Sequence, residues 1–136
     1  MRIALPLLLC LPFSASCVSS RHVHVAAENA LGPYSASVET RGLVFVSGKG
    51  GKSGGAFAEE AEAAVRAVEK ELQRTGLTLA DVVSVTVYLT DMGQYAEFNQ
   101  VYGRIFPQPY PARACVAVSA LPANLRVEIQ AVAARR

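Results

Sequence analysis

Within residues 81–90, DVVSVTVYLT, apolar and polar side chains alternate from Val83 onward. The two predicted faces carry Val83, Val85, Val87 and Leu89 on one side and Ser84, Thr86, Tyr88 and Thr90 on the other. This alternation predicts a β-strand with one apolar face. An apolar strand face must be buried against another layer, so the rest of the chain has to supply that cover.

Two helices are predicted, one on each side of this strand in the sequence. Residues 58–74 place apolar side chains at three- and four-residue steps, and Gly76 supplies a stop. Residues 91–94 resemble an N-cap with a reciprocal glutamine, which opens a second helix to about Phe106. Three prolines within residues 107–111 then impose an extended linker. Both helices are therefore amphipathic covers for a sheet.

Four further strands are predicted. Residues 35–39 and 43–47 flank an Arg-Gly turn and form one hairpin, and residues 113–119 and 124–133 form a second. In that second hairpin Cys115 would lie opposite Glu128, and Arg113 would be a diagonal neighbour of Glu128 on the same face. A register slip of one residue would separate them.

The element order ββ-α-β-α-ββ predicts an α+β domain whose mixed sheet carries both helices on one face. The opposite face would present Thr86, Tyr88, Cys115 and Ala117. That surface is too apolar to stay wet and nothing else in the chain can cover it. We therefore expect an oligomer that buries it between subunits.

The glycine-rich stretch at residues 48–55, GKGGKSGG, superficially resembles a phosphate-binding loop. A P-loop needs a glycine five residues before Gly51, and Val46 stands there. Ser53 likewise occupies the third glycine position of a dinucleotide fingerprint. The stretch is interpreted as a flexible connector.

Residues 1–20 have the order of a secretory signal, with Arg2, an apolar run at residues 3–13 and then small residues. The predicted organisation is an export leader at 1–20, a linker at 21–28 containing two solvated histidines, and a domain at 29–136. Export to the periplasm or exterior is expected. Three alternatives stay open: a lipoprotein anchored to a membrane through Cys17, an organelle transit peptide, and a cytosolic protein whose start lies downstream.

Charge and cysteine content argue against several kinds of partner and site. The formal net charge of +2 offers no basic stripe, so we expect no nucleic-acid partner. Two of the three cysteines fall in the leader, which leaves Cys115 without a partner for an intrachain disulfide. No CxxC or HExxH spacing occurs, so no metal site is expected.

Five sequence blocks together resemble one known family. They are Gly32-Pro33-Tyr34-Ser35, Val44 to Gly48, Asp81 to Tyr102, Pro111 to Val118, and Leu121-Pro122 followed by Val127-Glu128-Ile129. In this order, over about residues 29–134, they are similar to the RidA (YjgF) family. The resemblance implies a chorismate-mutase-like homotrimer with sites in the clefts between subunits. It also implies cofactor-free hydrolysis of 2-enamine and 2-imine acids resembling 2-aminoacrylate, giving a 2-keto acid and ammonia.

The resemblance also assigns roles to residues. Arg113 matches the residue that holds the substrate carboxylate, and Glu128 matches the one that positions or activates water. The remaining matched pocket positions are Tyr34, Ser47, Gly48, Asn99 and Cys115. A guanidinium fork suits a planar carboxylate, and a carboxylate can take a proton from attacking water and return it to the leaving nitrogen. The implied enzyme is a 2-iminobutanoate/2-iminopropanoate deaminase-type hydrolase.

Two departures from the family pattern bear on this assignment. Lys49 stands where the family usually carries glutamine, and the glycine-rich segment after it is short, which puts the pocket shape in question. A leader would also carry the chain away from the cytosolic sources of aminoacrylate. The alternative function is a non-catalytic trimer that binds small carboxylates, while RNA cleavage is disfavoured by the low charge. Arg113 and Glu128 could instead form a structural ion pair, and Tyr34 and Tyr88 could be interface packing residues.

Overall fold

A computed structural model describes residues 23–27 and 30–135. The strands in this part of the chain are β1 Val23–Ala26, β2 Ser35–Thr40, β3 Leu43–Gly50, β4 Val82–Leu89, β5 Ala112–Ala117 and β6 Val127–Ala134. The helices are α1 Phe57–Arg74 and α2 Tyr95–Ile105, with 3₁₀ turns at Leu79–Asp81, Met92–Gln94 and Pro122–Asn124. The predicted leader lies outside the described residues and stays a prediction.

The strands form one mixed sheet in the order β1-β2-β3-β6-β4-β5. Strands β4 and β5 run parallel, as expected for strands joined through a helix, and the other neighbours are antiparallel. The predicted α+β class and mixed sheet are confirmed. The order also places β6 in the interior of the sheet and β5 at its edge.

The predicted hairpin between the last two strands is wrong. Tyr88 of β4 pairs with Glu128 of β6 on one side and with Val116 of β5 on the other, so β4 separates the two strands. The physical reason lies in their composition. The strand β6 alternates apolar side chains over all eight of its residues and buries that face, so it can pair along its length on both sides, whereas the six-residue β5 exposes Val116 and lies at the edge.

Both helices cover the same face of the sheet, which confirms the predicted layering. The buried core joins Val85, Val87 and Leu89 of β4 to Val65, Val68 and Leu72 of α1 and to Phe98 and Val101 of α2. Full burial of each such side chain stabilises the fold by about 1.5–3 kcal/mol. Cys115 and Ala117, expected on the open face, instead lie on the helix-covered face because they pair with Val87 and Leu89.

The helix ends follow local chemistry. The α1 helix starts one residue before the expected position, and it ends where Gly76 adopts a φ of +76° that favours glycine. Asp91 accepts a hydrogen bond from the Gly93 amide at 2.8 Å, as a cap should. The reciprocal bond expected from Gln94 does not form, since its Oε1 has no partner among the described residues. A 3₁₀ turn therefore precedes α2.

Two segments predicted to be irregular are strands. Residues 23–26 of the predicted linker form β1, which pairs antiparallel with β2. Strand β3 continues to Gly50, because Lys49 and Gly50 pair with Ile129 and Glu128 of β6. Pairing with an interior strand here overrides the weak strand propensity of glycine. Within residues 23–27 and 30–135, no helix has both the length and the apolar character needed to cross a membrane.

Candidate functional site

Arg113 is held by α2. Its position on β5 is level with Val85, so its side chain lies on the helix-covered face, where it is half-buried. One terminal guanidinium nitrogen donates to Asn99 Oδ1 at 2.7 Å. The guanidinium carbon lies 4.7 Å from the Tyr102 ring centroid, and the rings of Phe98 and Tyr95 lie at 5.8 and 5.9 Å. Cation–π contacts and one hydrogen bond thus orient the group and leave other N–H donors for a ligand.

A cavity of about 300 Å³ opens beside this guanidinium, and it is lined by Asn99, Tyr102, Gly103, Tyr110, Pro111 and Arg113. Burial raises the pKa of Tyr102 to about 12, against the opposing effect of the Arg113 charge. Burial also raises the pKa of the Cys115 thiol, which Arg113 partly offsets. Tyr102 is therefore a neutral phenol and Cys115 a protonated thiol at neutral pH, so Cys115 is poorly suited as a nucleophile. We call Arg113, Asn99, Tyr102 and Cys115 the arginine half-site.

Glu128 lies in a second place, on β6, level with Tyr88 and therefore on the open face of the sheet. A cavity of about 340 Å³ adjoins it. Its lining residues are Leu31, Tyr34, Ser47, Gly48, Gly50, Pro122, Leu125 and Glu128. The structure thus brings Tyr34, Ser47, Gly48 and Glu128 together, and we call these four residues the glutamate half-site.

An irregularity in the sheet shapes the glutamate half-site. The pairing of β3 with β6 shifts between Val46 and Lys49, so Ser47 and Gly48 form a bulge. Bulges redirect side chains and recur beside functional sites. Ser47 Oγ donates to the Ser35 carbonyl at 2.7 Å, which ties the bulge to β2. A Cβ at Gly48 would collide with the Glu128 carboxylate, so glycine lets the carboxylate lie directly on the β3 backbone.

Arg113 and Glu128 do not contact each other within one protomer, so the predicted neighbour relationship is wrong there. Glu128 is level with Val116, which follows Arg113 by three residues, and β4 lies between the two strands. Strand geometry puts the two Cα atoms on the order of 14 Å apart. The two side chains also point to opposite faces, since their β4 partners Val85 and Tyr88 do so.

Two buried carboxylates of α1 were not predicted from the sequence. Glu71 is 4% exposed; it accepts hydrogen bonds from Ser37 at 2.7 Å and from Arg74 at 3.2 Å, and it pairs with Lys49 at 3.4 Å. Glu60 is 1% exposed and binds Arg126. Their spacing was the available signal, because both fall on the three- and four-residue steps of the buried stripe. Within the described ranges, no group of three or more His, Cys, Asp or Glu side chains could hold a metal ion.

Comparison with known proteins identifies relatives of this chain. The family model described as Endoribonuclease L-PSP matches residues 25–135. The RutC family protein y4sK of Sinorhizobium fredii is 40% identical over 113 residues, which cover 78% of this chain and 90% of that protein. The chloroplastic Reactive Intermediate Deaminase A of Arabidopsis thaliana is 35% identical, over 90% of this chain and 72% of that protein. The crystal structure of Escherichia coli TdcF with bound serine matches with a TM-score of 0.76 and 32% identity, over 81% of this chain and 94% of that one.

Proposed function

This chain belongs to the Endoribonuclease L-PSP family, which is the RidA (YjgF) family, and on that premise we propose that it hydrolyses 2-imino and 2-enamino acids to 2-keto acids and ammonia. Relatives named reactive intermediate deaminases support a deaminase-type enzyme. Small substrates of this class, such as 2-iminopropanoate and 2-iminobutanoate, are compatible in size with the cavity of about 300 Å³ beside Arg113.

The observation that carries the proposal is the fixed guanidinium of Arg113. Asn99 and three aromatic rings orient it, and these neighbours bring no carboxylate to neutralise it. A planar carboxylate can accept two parallel hydrogen bonds from such a group. A prealigned substrate loses little further freedom before reaction, which is most of what a reactive imine requires.

Glu128 supplies the second part of the chemistry. Water attacks the C=N carbon while the carboxylate takes one of its protons and delivers it to the imine nitrogen, which gives a carbinolamine. The carboxylate then takes the hydroxyl proton of this intermediate and passes it to the nitrogen, so that the C–N bond breaks, the C=O bond forms and ammonia leaves. Each turnover consumes one imine and one water and gives one keto acid and one ammonia. The Glu128 carboxylate lies directly against the Gly48 backbone and faces the cavity of the glutamate half-site, where a substrate and its attacking water can reach it.

The two half-sites can meet on one small substrate only if different protomers supply them. We propose a homotrimer for this reason. Strand β5 has no outer neighbour in the described part of the chain, and Val83, Val116 and Phe45 are 41–47% exposed. Packing the β5 edge of one protomer on the open face of the next would bury these side chains and join the half-sites.

A non-catalytic carboxylate-binding trimer is the second candidate. The bound serine in the TdcF crystal structure favours it, because serine is an amino acid with a carboxylate and is not an imine. Both candidates use Arg113 as the carboxylate ligand, so only turnover separates them. The family model's description names an endoribonuclease, but the net charge of +2 does not support RNA cleavage by this chain.

Turnover of a freshly generated imine tests the proposal. An amino-acid oxidase forms 2-iminopropanoate in place, and imine decay and keto-acid release are followed with and without the protein. We expect the wild type to accelerate hydrolysis and Arg113→Ala to match the buffer blank. Arg104→Ala, a change at an exposed arginine of α2, is the matched control and should retain wild-type rates. Ligand binding by the wild type without acceleration would instead establish the carboxylate-binding trimer.

We also propose that residues 1–20 direct export. Mass spectrometry of the N-terminus of the mature protein, prepared from the periplasm or medium of an expression host, tests this. A mature chain that still begins at Met1 in the cytosol would contradict it.

A further inference from the structure

A half-buried ion pair joins α1 to Arg126, the residue just before β6. Glu60 has a fully buried side chain, and its two oxygens accept from Arg126 Nε at 2.8 Å and from the Arg126 backbone amide at 2.6 Å. A terminal guanidinium nitrogen of Arg126 donates to the Gly55 carbonyl at 2.8 Å, and the guanidinium lies 5.6 Å from the Phe57 ring centroid. One arginine thus contacts the helix, the strand and the segment before the helix.

The segment that follows β3 lies close against these groups. We call residues 51–55 the glycine connector. A Cβ at Gly51 would collide with the backbone carbonyl of Glu60, and one at Gly50 would collide with the Leu125 side chain. Glycine is therefore required at Gly51, where the obstacle is backbone, whereas at Gly50 the Leu125 side chain can move aside. Because the connector has few side chains with which to pack, the Arg126 bond to Gly55 becomes one of its principal anchors.

The same arginine sits two residues before Glu128. Its carbonyl accepts from the Thr90 amide at 3.0 Å, which fixes this end of β6 against the end of β4. Gly48 and Gly50 on one side, and Leu125 and Glu128 on the other, line the cavity of the glutamate half-site. Leu125 and Glu128, which flank Arg126, form one wall of that cavity, and the β3 wall leads at Gly50 into the glycine connector that Arg126 binds at Gly55.

We propose that Glu60 and Arg126 are positioning residues for Glu128. They hold β6 and the glycine connector so that the Glu128 carboxylate stays against the Gly48 backbone, aligned for the attacking water. This inference rests on the proposed function for its kinetic consequence, but the positional claim stands on contacts alone. It assigns this pair to the water-activating step and not to carboxylate binding, because Arg113 lies on the other face of the sheet.

The test replaces Arg126 and compares it with a matched arginine at the other end of β6. Arg135 also makes a close two-point ion pair, to Glu39 at 2.7 and 2.8 Å, and it donates to the Thr75 carbonyl. We expect Arg126→Met to lower kcat for 2-iminopropanoate about tenfold, with KM changed less than about twofold, since a charge-assisted hydrogen bond typically contributes this much. Arg126→Lys, which can keep the bond to Glu60, should recover part of the loss. Arg135→Met should leave kcat and KM unchanged.

A structural measurement keeps the inference independent of turnover. In the full-length protein, amide exchange at residues 51–55 should rise about tenfold or more in Arg126→Met, and the ¹³C shift of the Glu128 carboxyl should move. Neither should change in Arg135→Met. An unchanged exchange rate and carboxyl shift in Arg126→Met would overturn the inference even if the enzyme is active. Equal losses of kcat in Arg126→Met and Arg135→Met would also overturn the inference. If the wild-type protein shows no turnover, only the proposed function is refuted.

Discussion

Arg113 and Glu128 lie on opposite faces of the sheet, with strand β4 between their strands. Side chains of α2 contact Arg113, and Glu128 lies against the bulge of β3. A 2-imino acid spans only a few ångströms between its carboxylate and its imine carbon, so no single protomer can present both groups to it. A catalytic site that uses both residues must therefore draw them from two copies of the chain.

Mixing two inactive variants tests this arrangement directly. Arg113→Ala and Glu128→Ala should each abolish imine hydrolysis when assembled alone. Co-expression of both in equal amounts should restore activity to about one quarter of wild type. When the two variants assemble at random, six of the eight possible cyclic trimers contain both variants. Each of these mixed trimers holds one intact site out of three. Steady-state kinetics on the purified mixture measures it, and a mixture as inactive as its components would place the site within one protomer.

The layers of this fold could be predicted because each depends on local periodicity. The alternation in β4 and the stripe in α1 predict which faces are buried, and those faces are buried in the structure except at Val83, which lies at a register shift and is 47% exposed. Strand order depends on competition between strands for the interior of the sheet, and local spacing carries no such information. The short turn before β6 favoured a hairpin, but the all-apolar face of β6 outweighed it.

For the candidate site too, local sequence specifies some features and leaves others open. The matched residues fall into two clusters on opposite faces of the sheet, whereas strand alternation predicted Arg113 and Glu128 on one face, and the side-chain geometry around them was not predictable. The aromatic rings around Arg113 come from α2, whose distance to β5 no sequence spacing specifies. Glu60 and Glu71 have the spacing of the buried stripe of α1, but their burial depends on hydrogen-bond partners far along the chain, which local spacing does not specify.

Asn99 should control substrate affinity through Arg113. Removal of its Oδ1, which accepts from the guanidinium at 2.7 Å, frees Arg113 to rotate toward the Tyr102 ring. We expect Asn99→Ala to raise KM about tenfold with a smaller change in kcat, in line with the loss of one hydrogen bond to a charged group. Gln100→Ala, at an exposed neighbouring position, is the control. A fall in kcat at constant KM would contradict this role.

Gly48 should be essential to the position of Glu128 but not to folding. The atoms that a Cβ at Gly48 would meet belong to the flexible Glu128 side chain, which can move aside at small cost. Gly48→Ala should therefore lower kcat about 100-fold, a typical contribution of a general base, while the melting temperature shifts by only a few degrees. Gly32→Ala, where a Cβ would meet nothing within 4 Å, should change neither quantity. Calorimetry and imine kinetics on both variants decide the matter, and wild-type kcat in Gly48→Ala would count against Glu128 as the base.

Tyr102 should make the fold sensitive to alkali. Burial raises its pKa from 10.0 to about 12, so the folded protein keeps the phenol proton over a range in which the unfolded chain releases it. The stabilisation is complete below pH 10 and is lost as the pH rises toward 12, at up to about 1.4 kcal/mol per pH unit for one proton. Denaturant unfolding at pH 9, 10 and 11 should show a steeper decline in the wild type than in Tyr102→Phe, which cannot ionise. Parallel declines in the two proteins would mean that Tyr102 ionises as readily in the folded state as in the unfolded chain, and that the wall beside Arg113 is open to water.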